Sequence, residues 1–241
     1  ITSSVSANTT AGFSIVTYTG NGAGSATIGH GLGVVPSLII VKARTEPTGG
    51  VHFGTDQGNW IVYVKPINAG GIDETDAVLL NKNEDLVDST GGFNDTVPTT
   101  TVFTIGTADD VNESGDDYVA YCFANVDGYC KIGSYLGNAD IVGPQVILGF
   151  RPAWLLIKSV SSNSREWVIL DNKINPSNVG TLTEIHPSAS AAEQTESLID
   201  LLSDGFKLRD NLANGSDLNA NGETYIYLAI AEQPFKFANA R

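Results

Sequence analysis

Apolar residues come in short runs along the chain, each closed by Gly, Pro, Asn, Asp or Ser. This punctuation predicts strands joined by tight turns. Phe13-Ser14-Ile15-Val16-Thr17-Tyr18 has strand composition ahead of Gly20-Asn21-Gly22. The runs 37–42 and 153–158 each follow a Pro, at 36 and 152, which suits the first position of a strand. Their unbroken apolar character points to burial on both faces. Segments 60–65, 100–105, 117–124, 166–171 and 224–231 carry the same signal. Ser190-Ala191-Ala192-Glu193 has the spacing of a capping box and predicts a short helix or turn ahead of an apolar run at 198–202. The segment 197–202 also reads as a strand ending at Asp204-Gly205.

The pattern occurs twice. Tyr18-Thr19-Gly20-Asn21 returns as Tyr135-Leu136-Gly137-Asn138. The block from Gly33 to Lys42 returns from Gly149 to Lys158, Trp60-Ile61-Val62 returns as Trp167-Val168-Ile169, and Gly115-Asp116-Asp117-Tyr118-Val119 returns as Gly222-Glu223-Thr224-Tyr225-Ile226. Four blocks in one order predict an N-terminal arm, 1–11, followed by two copies of one fold, 12–127 and 128–241. Each copy is all-β by its runs. The expected fold is therefore two tandem antiparallel β-sandwiches of jelly-roll or lectin-like type.

The spacing between matched blocks falls from 116 at Gly33/Gly149 to 107 at Trp60/Trp167. The first copy thus holds nine extra residues in the segment 43–59. Insertions collect in surface loops, and surface loops carry binding. This loop supplies His52, Phe53, Asp56, Gln57 and Asn59, the aromatic, carboxylate and amide types that hydrogen-bond and stack on a glycan. The other reading of Phe53 is a ring folded back onto its own sandwich.

Charge narrows the function. Lys and Arg number 13 against 27 Asp and Glu, a net charge of −14. Nucleic acid is disfavoured as a partner, because phosphate binding needs clustered cations. No apolar stretch reaches the ~18 residues of a membrane-spanning helix, so no membrane insertion is expected. The absence of Met, even at position 1, suggests a start inside a longer product, after processing, or at a boundary of the resolved segment, and residues 1–10 lack the basic and apolar parts of a signal peptide. Two Cys make no disulfide framework. Cys122 reads as a buried thiol, since Ala229 takes its place in the second copy, or as a partner of Cys130.

No catalytic or metal constellation stands out. The three His, at 30, 52 and 186, have no second His at metal spacing. His30, in Gly29-His30-Gly31-Leu32-Gly33, precedes a Pro and a strand rather than a helix, which suits a turn residue bonded to backbone and not a phosphate loop. Segment 109–117 holds five carboxylates and reads as a solvated acidic hairpin, with a Ca²⁺ loop as the alternative. No cofactor is expected.

The segment from Gly12 through Gly22, then Ile28-Gly29-His30-Gly31-Leu32-Gly33-Val34-Val35-Pro36 with its strand ending at Lys42, resembles an uncharacterised domain of tailed-bacteriophage virion proteins. Tyr118-Val119-Ala120-Tyr121-Cys122-Phe123-Ala124 and the end from Pro234 to Arg241 fit the same pattern, so the resemblance spans 12–241. Cys130 and the long 43–59 loop depart from it. The resemblance implies a non-catalytic structural protein of the virion, in a tail fibre or adhesin of an aquatic phage. Such a protein would form a homo-oligomer, a trimer in many fibres, with other virion proteins and contact a host surface glycan. A scaffold or decoration role without a receptor, and an enzyme degrading surface polysaccharide, are the alternatives.

Overall fold

The computed structural model describes residues 1–45, 47–52, 56–65, 76–176, 181–197, 199–209 and 217–233. The chain forms two compact units, Ile1–Asn81 with Leu86–Asn125, and Lys82–Asp85 with Val126–Arg241. The first holds β1 (Ser3–Asn8), β2 (Phe13–Thr19), β3 (Ala26–Gly29), β4 (Leu38–Ala43), β5 (Trp60–Val64), β6 (Asp76–Leu79), β7 (Val87–Asp88), β8 (Val102–Ile105), α1 (Asp109–Asn112) and β9 (Asp117–Phe123). In the second are β10 (Cys130–Leu136), β11 (Gln145–Ile147), β12 (Pro152–Ser159), β13 (Val168–Asp171), β14 (Leu182–Glu184), β15 (Gln194–Ser197), β16 (Ile199–Leu202), β17 (Gly205–Leu208) and β18 (Thr224–Ala231).

All pairings among the described residues are antiparallel. The large sheet of the first unit runs β1-β2-β9-β4-β5-β6-β7, and β3 pairs with β8 in a second sheet. In the second unit one sheet runs β10-β18-β12-β13, another runs β11-β17-β16, and β14 pairs with β15. The order β2-β9-β4-β5 recurs as β10-β18-β12-β13, and β3-β8 recurs as β11-β17. Each core lies between these layers. Val16, Tyr18, Ile39, Val41, Tyr118 and Ala120 meet Ile28, Phe103 and Ile105 in the first. Tyr135, Leu155, Ile157, Tyr225 and Tyr227 meet Val146, Phe206 and Leu208 in the second. The all-β sandwich character predicted from the runs is present, and β4 and β12, central in their sheets, are buried on both faces as their unbroken apolar sequences require.

Several details differ from the sequence reading. No strand is predicted in the arm, 1–11, but residues 3–8 form β1 and pair with β2 from Ser3↔Tyr18 to Asn8↔Phe13. Of the helix-or-turn reading at 190–193 no helix forms, whereas the strand read at 197–202 is present as β16, preceded by β15. A capping box without a helical apolar stripe behind it has nothing to bury, and strand pairing wins. Trp167 is buried, but Trp60 at the start of β5 is only partly so. As the reading of Cys122 as a buried thiol has it, Cys122 is free and buried, and so is Cys130; burial pushes both up to about 12, which leaves them protonated and unreactive near neutrality.

His30 is fully buried. Its Nδ1 accepts from the Leu32 amide at 3.3 Å, so the neutral ring carries its proton on Nε2, which donates to the Thr99 carbonyl at 3.2 Å. This is the backbone-bonded turn residue predicted from the glycines around it. Burial lowers its pKa, and the Thr99 bond only partly offsets that. A His with a depressed folded pKa stabilises the fold above its unfolded value of about 6.5, and that contribution is lost as pH falls below it. Proton NMR titration is expected to place His30 below the ordinary His range. The stability difference between the wild type and His30→Gln should shrink from pH 7 towards pH 5; a constant difference would contradict the assignment.

Candidate functional site

The units share one framework at the end of the sheet where β2 leaves and β9 enters. Tyr18 and Tyr118 stack at 5.1 Å, as Tyr135 and Tyr225 do at 5.0 Å. The Tyr18 hydroxyl donates to the Val111 carbonyl and that of Tyr135 to the Leu218 carbonyl. Asn112 Oδ1 accepts from the Asn21 amide at 2.9 Å, and Asn219 Oδ1 from the Asn138 amide at 3.0 Å. Asp110 takes the amide of Asn59 at 2.8 Å, and Asp217 takes that of Glu166 at 3.1 Å, each just before the repeated Trp. Lys42 Nζ donates to the Gly58 carbonyl and Lys158 Nζ to that of Arg165, both at 2.9 Å. These pairs keep the sequence spacing of the matched blocks.

The 43–59 loop is built on this framework by the acidic segment, which is not a solvated hairpin. Residues 109–112 form α1, and Asp110 is fully buried. Asp109 Oδ2 accepts from the Val51 amide at 2.8 Å, while its own amide donates to the Val51 carbonyl at 2.6 Å. Glu113 accepts from the amide and hydroxyl of Thr48, at 2.7 and 3.2 Å. Desolvation pushes the Glu113 carboxyl up, but the amides of Gly49 and Thr48 and the Thr48 hydroxyl outweigh it and hold the pKa below the usual range. Asp116 is raised, first by desolvation and then by the Glu113 charge. The sequence of the second unit has Ser216 and Ala220 at the spacing of Asp109 and Glu113. The two carboxylates that hold the inserted loop are therefore the two missing where the loop is short. There, Arg165 pairs with Glu223 at 3.0 Å, and Ser159 donates to the same carboxylate at 2.9 Å. Lys158 lies fully buried beside them, and burial pulls its pKa down to about 8 against the nearby carboxylates. Among the described residues no group of three His, Cys, Asp or Glu is placed to hold a metal ion.

Gly49 lies against Asp109 so closely that a Cβ there would collide with the carboxylate. Gly49→Ala should displace Asp109 and free the Val51 amide. Loss of a charge-assisted bond of about 1.5 kcal/mol corresponds to roughly tenfold faster hydrogen exchange at Val51. Unchanged exchange there would contradict the strap.

At the root of the loop a shallow groove of about 310 Å³ opens on the outer face of the large sheet. The pairing puts its side chains in register. Thr19 lies opposite Asp117, and Arg44 follows the Ala43↔Tyr118 pair, its amide donating to the Asp117 carbonyl at 2.7 Å. Thr2 stands one residue before the Ser3↔Tyr18 pair, and Ser4 faces Thr17 in the next row. Thr2, Thr19, Asp117 and Arg44 thus cross four strands as one exposed polar row. Thr19 Oγ1 donates to Asp117 Oδ1 at 2.9 Å. The corresponding row of the second unit is Leu136, Thr224 and Val160, of which the last two are buried.

Of the loop residues singled out from the sequence, His52 and Asn59 both meet Asp110, and Asn59 also bonds Asp56. Asn59 is buried and structural, its amide group donating to the Asp56 carbonyl at 2.5 Å and accepting from Asn81 at 3.0 Å. His52 is partly buried, with Nδ1 3.8 Å from Asp110 Oδ2. Asp56 and Gln57 are exposed. Phe53 lies outside the described residues, as does the 234–241 end. Asp117, part of the acidic segment in the sequence, and Arg44, at the start of the loop, come into one row only through the β4–β9 register.

No curated protein and no solved structure matches the chain. The model of one family, a domain of unknown function (DUF7483), matches residues 1–234. A match over nearly the whole length makes the chain a member of the DUF7483 family.

Proposed function

We propose that this chain is a non-catalytic virion protein of a tailed phage, a tail-fibre or adhesin component, and that the outer face of its first unit contacts the host surface. The observation that carries the reading is the difference between two units of like strand order. One has an exposed row of hydroxyl, carboxylate and guanidinium groups beside an inserted, strapped loop; the other has Leu136, Thr224 and Val160 in that row, the last two buried, and a short loop. Polar side chains held on a rigid sheet, with a seated loop alongside, suit recognition of a hydrated surface. The resemblance to phage virion proteins supplies the setting: a homo-oligomer, trimeric as fibres are, assembled with other virion proteins on the extracellular particle. Among the described residues lining the groove Asp117 is the one carboxylate, whereas a glycosidase of the usual type sets two across the bond it cleaves.

Purified full-length protein should adsorb to cells of the phage's host. Shortening 43–59 to the length of 159–166 should weaken adsorption severalfold. Release of reducing sugar from host polysaccharide would replace this reading with the enzymatic one. Failure to adsorb to any host would favour a particle scaffold or decoration role. That second reading draws on the exposed Leu136, Ile141 and Val142 of the second unit, apolar surface of the kind subunit contacts cover.

A further inference from the structure

We infer that the groove of the first unit binds a neutral saccharide chain, laid across the strands and read by Asp117 and Arg44. The inference rests on the host-contact reading and names the ligand class of that face. Neighbouring strands lie ~4.8 Å apart, so the row Thr2, Thr19, Asp117, Arg44 presents one polar side chain per strand at nearly regular steps. A linear polysaccharide crossing the strands repeats its hydroxyls on a comparable scale. Ser4 and Thr17 add a second, parallel row of hydroxyls.

The chemistry of each position is complementary to a sugar. One Asp117 oxygen already accepts from Thr19, which fixes the carboxylate and leaves its other oxygen to accept from a sugar hydroxyl. Arg44 is exposed and lines the groove, and its guanidinium makes no ion pair with a carboxylate among the described residues. Hydrogen bonds with one charged partner are the stronger kind, and a pair of opposite sign can grip two hydroxyls of one sugar. The neighbouring cation, Lys42, is committed to the Gly58 carbonyl.

Charge selects neutral over acidic chains. An anionic saccharide would meet one free guanidinium beside the Asp117 carboxylate, on a chain carrying −14 overall. That field lowers the local concentration of anions. A neutral chain pays no such penalty. The groove is open, and Tyr18, the one ring among its described lining residues, is buried in the core stack and offers the sugar no aromatic face. Each site is therefore weak, and tight attachment comes from several copies acting together.

The test uses the full-length protein on surfaces densely coated with neutral β-linked hexan oligosaccharides or with polygalacturonate, read by biosensor. Binding to a neutral chain is expected, with at least a tenfold loss in Arg44→Ala and in Asp117→Ala. Leu136→Ala, at the matching row of the second unit, should bind as the wild type does. Arg44 is exposed, so its truncation leaves the fold intact, and a melting curve verifies this for both variants. Preference for polygalacturonate, absence of binding to every neutral chain, or wild-type binding by both groove variants would each overturn the inference. Host-cell adsorption measured in parallel separates the two levels. Adsorption without neutral-glycan binding removes only the ligand class, while loss of both removes the host-contact reading as well.

Discussion

Phe206→Ala is expected to destabilise the second unit by about 3–5 kcal/mol, the range for truncating a large buried aromatic. The ring is fully buried on β17, where it lies between Val146 of β11 and Leu201 of β16 in register. It meets Tyr227 edge-on at 5.5 Å and Tyr135 at 5.9 Å. Each such pair adds about 0.5–1.5 kcal/mol beyond area burial, and a ring at the junction of two layers leaves a void that neither sheet can close. Domains are stable by only about 5–15 kcal/mol, so one substitution removes a large share. Phe103 on β8 is the corresponding residue of the first unit, packed edge-on to Tyr18 at 6.5 Å. Urea unfolding reports the change directly. A loss under about 1 kcal/mol would mean that β17 is not part of the core.

Gly20→Ala and Gly137→Ala should each cost about 1–3 kcal/mol or more, though neither glycine needs an unusual backbone conformation. A Cβ at position 20 would strike the Glu113 carbonyl and press on the Tyr118 ring; one at 137 would strike the Ala220 carbonyl and press on Tyr225. Both obstacles include backbone, held in place by further bonds. Gly20 donates to the Asp116 carbonyl at 2.8 Å, and the Gly115 amide returns to the Gly20 carbonyl at 3.0 Å. Gly137, Glu223 and Gly222 repeat the arrangement at 2.9 and 3.0 Å. Relief must therefore move the stacked tyrosines or break these bonds. Thermal unfolding of the two variants tests this, and equal, near-zero shifts would refute the close approach.

The strands were legible because each is a short apolar run between turn residues. Pro36, Pro152 and the glycines around His30 marked real strand starts and a real turn. The short α1 was not legible, since four residues carry no periodicity and its acidic sequence looks like a solvated turn. Its carboxylates act through backbone amides far away in sequence, which composition does not reveal. The inserted loop was located by spacing alone, but spacing gives a loop's length and not the direction its side chains face. Asn59, a plausible contact by type, is consumed in holding the loop, while Asp56 and Gln57 remain outside. The row through Asp117 and Arg44 needed strand register, which in a sheet of non-consecutive neighbours is a tertiary property.

The central claim is that the first unit faces a host from the surface of a virion. A density map of the particle that carries this chain tests it most directly. The account predicts the chain in an outward appendage, with Arg44, Asp117 and the 43–59 loop exposed to solvent at the contact end. A map with that face buried against other subunits, or with the chain inside the particle, would contradict it.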